Sequence, residues 1–208
     1  MKLKVTQARA RYSKYFSNHN QMLIEKIREQ SAPYHKDLES CSLLQPLASG
    51  MISKDHYIEV LKKFYAFFSS LEKNIEGIGK YLPDFSERRK AEFLLRDIKA
   101  LGQDTTETFQ VEVPQVKNDA YAFGCLYVME GSTLGGKFIF ENVQRCLPIS
   151  NEVGGSFFYG YGKNTGAMWK AFIENLLSFY QHDQRENEIL EGVKDTFVLL
   201  KKWLDKTK

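Results

Sequence analysis

The chain has 208 residues, of which 43% are hydrophobic, and a formal net charge of +3. This length suits one well-buried domain and is short for two, so we expect a single domain over residues 21–208. The charge is too small to indicate a nucleic-acid partner. Basic residues concentrate in the first fourteen positions, and we interpret residues 1–20 as a basic, solvated N-terminal arm.

The cysteine pattern and the hydropathy predict a cytoplasmic protein. Cys41, Cys125 and Cys146 are odd in number and lack a C-x-x-C spacing, which argues against a disulfide framework and against a zinc site. The first residues lack the apolar core of about 7–15 residues that a signal peptide needs. No segment reaches the ~18 apolar residues of a membrane span, so we expect no membrane partner.

Helical periodicity dominates the chain, and no run alternates as a strand would, so the predicted fold class is all-α. A first helix is expected over about 20–40. Pro33 either kinks this helix or lies in the first turn of a second helix capped by Ser31. Ser53 is the predicted N-cap of the next helix.

The second half of the chain predicts four further helices, which would complete a helical bundle. Ser86 is the expected cap of a helix that ends near Leu101, and a long helix follows over about 118–146. Thr165 is the expected cap of the next helix, and the last helix covers about 185–205. Glycines punctuate the intervening stretch, which we interpret as a flexible loop: Gly154, Gly155, Gly160, Gly162 and Gly166.

The most informative pattern is three glycines within six residues of the long helix. Gly131 and Gly135 are four residues apart, so they share one face, and a flat ligand could lie against bare backbone there. Gly136 adds a place where the helix can bend. Close packing against another helix is the alternative interpretation. A membrane dimer motif is excluded by the charges of Glu130 and Lys137.

Among four histidines, His35 has the most suggestive surroundings. Arg28 precedes it by seven residues and Glu39 follows it by four, so on a continuous helix the three side chains face roughly one way. A histidine with a carboxylate one turn away is typical of a metal ligand whose second nitrogen is held in place, although a surface ion pair has the same spacing. Together with the bare helix and 26 Phe and Tyr residues (15 and 11), this histidine suggests a heme site.

These segments resemble those of the heme oxygenases, and among them the bacterial type associated with bacteriophytochromes. Residues 127–136 are similar to the distal helix of that group, and residues 28–39 are similar to its proximal helix. The resemblance extends over about residues 24–205. It implies an all-α heme oxygenase-like bundle with a kinked, glycine-rich distal helix.

The resemblance implies roles for residues of the proximal side and of the heme edge. His35 would be the axial iron ligand, and Glu39 would accept its ring N–H. Arg28 and Lys170 match positions that hold the heme propionates, as basic groups at the open edge of such a pocket should.

The distal helix matches the family with one departure, and a second departure lies at a propionate-binding position. Gly131 and Gly135 would contact the distal face of heme, and Gly136 would permit the kink. Ser132 stands where animal enzymes have an aspartate that orders a water network. Glu174 stands where animal enzymes have another propionate-binding arginine, so the resemblance leaves the cleavage position open.

The implied reaction opens the heme ring with dioxygen and external electrons, and yields biliverdin, carbon monoxide and ferrous iron. A reductase or a ferredoxin would supply the electrons, and a bacteriophytochrome could accept biliverdin. One alternative is a carrier or sensor that binds heme without opening it. Another is a heme-free member of the same architecture, such as a thiaminase-like enzyme, for which Cys125 is the candidate nucleophile.

Overall fold

The computed structural model describes residues 22–88, 91–105 and 110–206, and the expected arm over residues 1–20 lies outside these ranges. Within them no β-strand occurs, so the all-α prediction is confirmed. None of the helices in these ranges has the length and hydropathy to cross a bilayer. The α-helices are α1 over 22–39, α2 Gln45–Ser49, α3 Lys54–Ile75, α4 Ala91–Ala100, α5 Asp119–Cys146, α6 Ser156–Tyr159, α7 Thr165–His182 and α8 Glu186–Leu204.

Helices α5 and α8 cross in direct backbone contact. A Cβ atom on Gly124 would lie 2.1 Å from the carbonyl oxygen of Ile189, and one on Gly192 would lie 2.2 Å from that of Tyr121. Because only glycine fits at such distances, each helix has a glycine where it meets the other. The N-terminal half of α5 is consequently buried on nearly all sides, from Ala120 to Glu130.

Two helix starts follow local sequence rules. The Ser53 hydroxyl accepts a hydrogen bond from the backbone N–H of His56 at 3.2 Å, which confirms the predicted cap of α3. The Asn118 side chain accepts from the backbone N–H of Tyr121 at 2.9 Å and caps α5 in the same way. Both caps satisfy an N–H that has no partner within its own helix.

The predicted cap at Ser86 and the second helix starting at Ser31 are wrong. Helix α1 continues through Pro33, and the Ser31 hydroxyl donates to the carbonyl of Arg28. Ser86 lies within a short 3₁₀ helix, Phe85–Glu87. The N–H of Ala91, where α4 begins, is instead satisfied by the Glu72 carboxylate of α3 at 2.7 Å.

The stretch interpreted as a flexible loop has more structure than predicted. It contains α6 and a 3₁₀ helix, Gly162–Asn164. Gly154, Gly160 and Gly162 have positive φ values of 76°, 60° and 54°, a backbone region that glycine enters without a steric penalty. The glycines therefore form specific turns around short helices.

A buried ion pair joins α5 to the segment before α4. The guanidinium of Arg88 donates to Glu130 at 2.7 Å, and the two side chains are 1% and 2% exposed. Arg88 also donates two hydrogen bonds to Asp84, at 3.0 and 2.9 Å. The Tyr161 hydroxyl donates to the same Glu130 carboxylate at 2.9 Å. Glu130, which immediately precedes Gly131, is thus held in place by the buried side chain of Arg88.

Candidate functional site

A cavity of about 750 Å³ opens between α1, α3, α5 and α8. This volume lies in the range of about 300–1,000 Å³ that small-molecule and cofactor sites have. Aromatic and aliphatic side chains form most of its walls, and they include Phe64 and Phe68 of α3, Phe157 and Phe158 of α6, Trp169 of α7, and Phe197 and Leu200 of α8.

The structure places His35, Glu39 and Arg28 of α1 on this cavity. His35 Nδ1 lies 3.3 Å from Glu39 Oε1, and the His35 side chain is 59% exposed. Its ring packs edge-on against Phe197, with 5.8 Å between the ring centroids. The other ring nitrogen, Nε2, makes no hydrogen bond within the described part of the chain. Nε2 is therefore the nitrogen that can bind a metal in the cavity.

Of the three closely spaced glycines in α5, Gly131 and Gly135 line the cavity, together with Ser132. A Cβ atom on Gly135 would meet no atom within 4 Å, because this position faces open space. A Cβ atom on Gly131 would lie 3.7 Å from the indole ring of Trp169. The Ser132 hydroxyl donates to the carbonyl of Met129 at 2.7 Å. The shared glycine face predicted from the spacing thus borders the cavity.

Gly136 does not line the cavity. A Cβ atom there would lie 2.6 Å from the carbonyl oxygen of Phe158. Because side-chain atoms do not approach a carbonyl so closely, this glycine allows α6 to contact α5. The helix is continuous through Gly136.

Two cationic side chains of α1, Arg28 and Lys36, lie on the cavity. Burial raises the pKa of the Tyr127 hydroxyl above its ordinary value, although the guanidinium of Arg28 beside it acts in the opposite direction. The edge of the cavity near α1 therefore combines positive charge with a phenol that can donate a hydrogen bond.

Lys170 lies outside the lining of the cavity. Its side chain is 78% exposed, and its ammonium group lies 3.7 Å from Glu174, one turn further along α7. The two α7 positions singled out from the sequence thus form an exposed ion pair with each other. Lys170 follows Trp169, which does line the cavity.

The sequence model of the Heme oxygenase family matches residues 21–206. The chain belongs to the heme oxygenase family. Membership identifies it as an enzyme of the heme-degrading oxygenase class.

Curated heme oxygenases of two bacteria are similar in sequence. The chain is 25% identical to heme oxygenase PigA of Pseudomonas aeruginosa over 176 residues, 83% of this chain and 86% of that protein. It is 28% identical to a heme oxygenase of Xanthomonas campestris over 108 residues, 51% of this chain. This second match spans 64% of the Xanthomonas protein, less than two thirds of its length.

Solved heme oxygenase structures share the fold. The Neisseria meningitidis enzyme, in its NO- and CO-bound forms, aligns with a TM-score of 0.74 at 24% identity, covering 88% of this chain and 89% of that one. The Leptospira interrogans enzyme aligns with a TM-score of 0.75 at 20% identity, covering 89% and 99%. Heme oxygenase-1 of Synechocystis in complex with heme gives 0.57 at 15% identity, covering 88% and 90%.

The cavity of this heme oxygenase has the chemistry that heme requires. Heme is flat and apolar over most of its area, has two carboxylates at one edge and offers iron to a nitrogen ligand. Aromatic walls, the cations Arg28 and Lys36 and the imidazole of His35 match these three properties within one cavity. Gly135 leaves open the space that a side chain would fill.

Lys36 and Tyr127 are among the cavity residues of this heme oxygenase that reasoning from sequence missed. Lys36 is the neighbour of His35, but nothing in the spacing distinguished it from other solvated lysines of α1. Tyr127 belongs to the motif that resembles the distal helix, yet no role was inferred for it. Its ring lies edge-on to that of Trp169, with centroids 5.2 Å apart, a contact between residues 42 positions apart that periodicity does not reveal.

Cys125 is poorly suited to act as a nucleophile. It is fully buried, and its thiol donates to the carbonyl of Gly192 at 3.8 Å in the crossing of α5 and α8. Burial raises the pKa of this thiol to about 12. Since the thiolate is the reactive form, the environment of Cys125 disfavours the thiaminase-like alternative.

Proposed function

We propose that this enzyme opens the heme ring with dioxygen and external electrons, and releases biliverdin, carbon monoxide and ferrous iron. The observation that carries the proposal is that His35 and the bare Gly131–Gly135 face line one cavity. An imidazole alone would suit many metal sites, and a glycine face alone would suit helix packing. Their meeting at an aromatic cavity favours a planar, iron-containing substrate.

In the proposed complex His35 would hold the heme iron through Nε2. The Glu39 carboxylate, 3.3 Å from Nδ1, accepts the ring N–H, and this keeps the lone pair on Nε2 and fixes the orientation of the ring. The contact with Phe197 restricts the ring further. Bound heme supplies the iron at which dioxygen is activated.

Gly135 and Ser132 shape the proposed distal space. The absence of a side chain at Gly135 leaves open space in the cavity beside α5, where dioxygen and water would fit. The Ser132 hydroxyl donates its proton to the Met129 carbonyl. A water in the cavity could therefore donate a hydrogen bond to the Ser132 oxygen, which acts as an acceptor. It can orient water as the aspartate of animal enzymes does, but as a neutral group.

Arg28 and Lys36 are the proposed partners of the propionates, with Tyr127 as a further donor. Lys170 remains a proposed contributor, although it would have to leave Glu174 to reach the cavity. An exposed ion pair is worth about 0–1 kcal/mol, so exchanging this carboxylate for a propionate costs little.

The proposed partners rest on the sequence resemblance. A reductase or a ferredoxin would deliver electrons, and a bacteriophytochrome would accept biliverdin. A cytoplasmic location is part of the proposal and agrees with three cysteines that are free thiols.

An absorption titration of the purified protein with hemin, followed by ascorbate in air with an iron chelator, tests the proposal. We expect a saturating one-to-one Soret band that then decays into the broad red absorption of biliverdin. A saturating band that persists would instead indicate a heme carrier or sensor. Failure to saturate would contradict heme binding altogether.

His35→Ala tests the ligand assignment. We expect loss of ring opening and of the wild-type Soret spectrum in a folded protein, because the exposed imidazole contributes little packing. Circular dichroism checks the fold, and His182→Ala, on an exposed histidine at the end of α7, serves as the matched control. Turnover of His35→Ala near the wild-type rate would refute the assignment.

A further inference from the structure

The aromatic wall that α6 contributes to the cavity rests on a very short helix. Ser156–Tyr159 has only four residues, yet it supplies both Phe157 and Phe158 to the lining. Helices shorter than about 12 residues are marginal without outside support, because few of their N–H groups find partners within the helix. The position of these two rings must therefore be fixed by other elements.

Asp97 of α4 supplies that support. Its Oδ1 accepts from the backbone N–H of Ser156 at 2.9 Å and from the Ser156 hydroxyl at 2.7 Å, and its Oδ2 accepts from the backbone N–H of Phe157 at 2.8 Å. Asp97 is 0% exposed. Burying a carboxylate is costly unless its oxygens are hydrogen-bonded, and three donors from α6 offset that cost here.

The opposite side of α6 is fixed by close packing. The Phe158 carbonyl approaches α5 at Gly136, where a Cβ atom would be 2.6 Å away. Before α6, the Tyr57 hydroxyl donates to the Gly154 carbonyl at 2.8 Å. The ring of Phe157 then packs on those of Phe64 and Phe68, with centroids 5.9 and 5.8 Å apart. Asp97 is the charged member of this support and does not itself line the cavity.

We infer that Asp97 is a positioning residue for heme: its carboxylate holds the N-terminus of α6 so that Phe157 and Phe158 form a fixed wall of the heme cavity. The inference rests on the proposed function. It assigns Asp97 an effect on the residence time of heme that is exerted through Phe157, the residue whose N–H it binds and whose ring faces the cavity.

Asp97→Asn is the central variant. An asparagine of the same shape has one acceptor oxygen and one NH₂ group, so one of the two backbone N–H groups of α6 meets a donor instead of an acceptor. We expect roughly tenfold faster heme dissociation, measured by transfer of heme to an excess of apomyoglobin. Thermal unfolding of the heme-free protein is measured in parallel.

Glu72→Gln is the matched control. Glu72 also accepts a backbone N–H at a helix start, that of Ala91, but neither residue lines the cavity. We expect this variant to retain wild-type heme dissociation even if its thermal stability falls. Ser156→Ala removes one of the three hydrogen bonds to Asp97, and its heme dissociation rate should lie between those of the wild type and Asp97→Asn. This variant tests the inference if Asp97→Asn does not fold.

A double-mutant cycle with Phe157→Leu separates positioning from general destabilisation. If Asp97 acts through Phe157, Asp97→Asn should accelerate heme loss by less than about twofold when Phe157 is already leucine. Equal acceleration in both backgrounds would overturn the inference, as would wild-type dissociation in Asp97→Asn or in a folded Ser156→Ala. Wild-type protein is titrated with hemin first, so failure of the proposed function would be seen separately, as absence of saturable binding.

Discussion

The three closely spaced glycines in the middle of α5 have different surroundings. Gly131 borders Trp169, Gly135 borders open cavity, and Gly136 borders the Phe158 carbonyl. A glycine in a helix interior costs about 0.5–1 kcal/mol relative to alanine, so each position needs a separate reason. Gly131 and Gly135 line the cavity that we propose for heme, whereas Gly136 allows the backbone of α6 to pack against α5.

Alanine at Gly135 and at Gly136 should therefore have opposite effects on stability. Gly135→Ala should raise the free energy of unfolding by about 0.5–1 kcal/mol, because the new methyl group meets no atom and alanine favours the helix. Gly136→Ala should lower it by about 1–3 kcal/mol, because α6 must move away. Urea unfolding of both variants checks this pair, and equal effects would contradict the assigned surroundings.

Gly135→Leu should block the cavity without unfolding the protein. The leucine side chain has room to extend into the space that we assign to heme, so hemin affinity should fall at least about tenfold. Soret titration measures this, and Gly135→Ala, with a much smaller side chain, controls for helix effects. Unchanged affinity and unchanged ring opening in Gly135→Leu would place the ligand elsewhere.

The three cysteines should differ in reactivity. Burial raises the pKa of Cys125 to about 12 and also raises that of Cys41, whereas Cys146 is exposed. At pH 8 a buried thiol with such a pKa stays protonated, and its reactivity increases only as the pH approaches that value. Iodoacetamide followed by peptide mass spectrometry should label Cys146 first and all three after denaturation. Rapid native labelling of Cys125 would restore the cysteine-nucleophile alternative.

At the scale of elements, the crossing of α5 and α8 brings backbone against backbone. Gly124 and Gly192 are its contact points, and α8 also carries Phe197 and Leu200 to the cavity. The spacing of α5 and α8 therefore sets the width of the cavity as well as the packing of the core.

Gly192→Ala should separate these two helices. Its methyl group would lie 2.2 Å from the Tyr121 carbonyl oxygen, so we expect a loss of about 1–3 kcal/mol or more in unfolding free energy. Gly166→Ala, at a helical glycine with open space around it, is the control. A Gly192→Ala protein as stable as this control would show that the crossing is looser than described.

The start of α3 was predictable because its cap is local. The cap predicted at Thr165 is wrong, since Thr165 is the first residue of α7 and its hydroxyl donates to the Gly162 carbonyl at 2.9 Å. Ser53 lies next to the helix that it caps, so a rule on neighbouring residues finds it, and Asn118 caps α5 in the same local way. The start of α4 depends on Glu72, 19 residues earlier, and α6 depends on Asp97, 59 residues earlier. Helical periodicity does not reveal such partners, and this is why α6 was interpreted as loop.

Across the whole molecule, one buried guanidinium links segments far apart in sequence. Arg88 binds Asp84 and Glu130, and Tyr161 binds the same Glu130. The network fixes the part of α5 that precedes Gly131. Arg88 and Tyr161 are 42 and 31 residues from Glu130, so no local motif predicts the network. His35 and Glu39 were found because they are one helical turn apart.

Arg88→Met should destabilise the whole fold. Removing the guanidinium breaks the 2.7 Å pair with Glu130 in the core, a change that costs about 3–5 kcal/mol in comparable buried pairs. Lys117→Met is the matched control, since Lys117 and Glu191 pair at 2.6 Å on the surface, with side chains 48% and 47% exposed, and we expect it to cost less than about 1 kcal/mol. Urea unfolding measures the free energy of unfolding of both variants. Similar losses in both would contradict a larger contribution of the buried Arg88 pair to stability.

The cavity also bears on how long each copy of the protein survives. Side chains around an unfilled volume lack dispersion contacts, and a ligand that fills it stabilises the folded state in proportion to the logarithm of its concentration above its Kd. Proteases that attack transiently opened chains remove the less stable population faster. With heme as the proposed ligand, we expect copies without heme to be degraded first, so that the abundance of the protein rises with the heme supply.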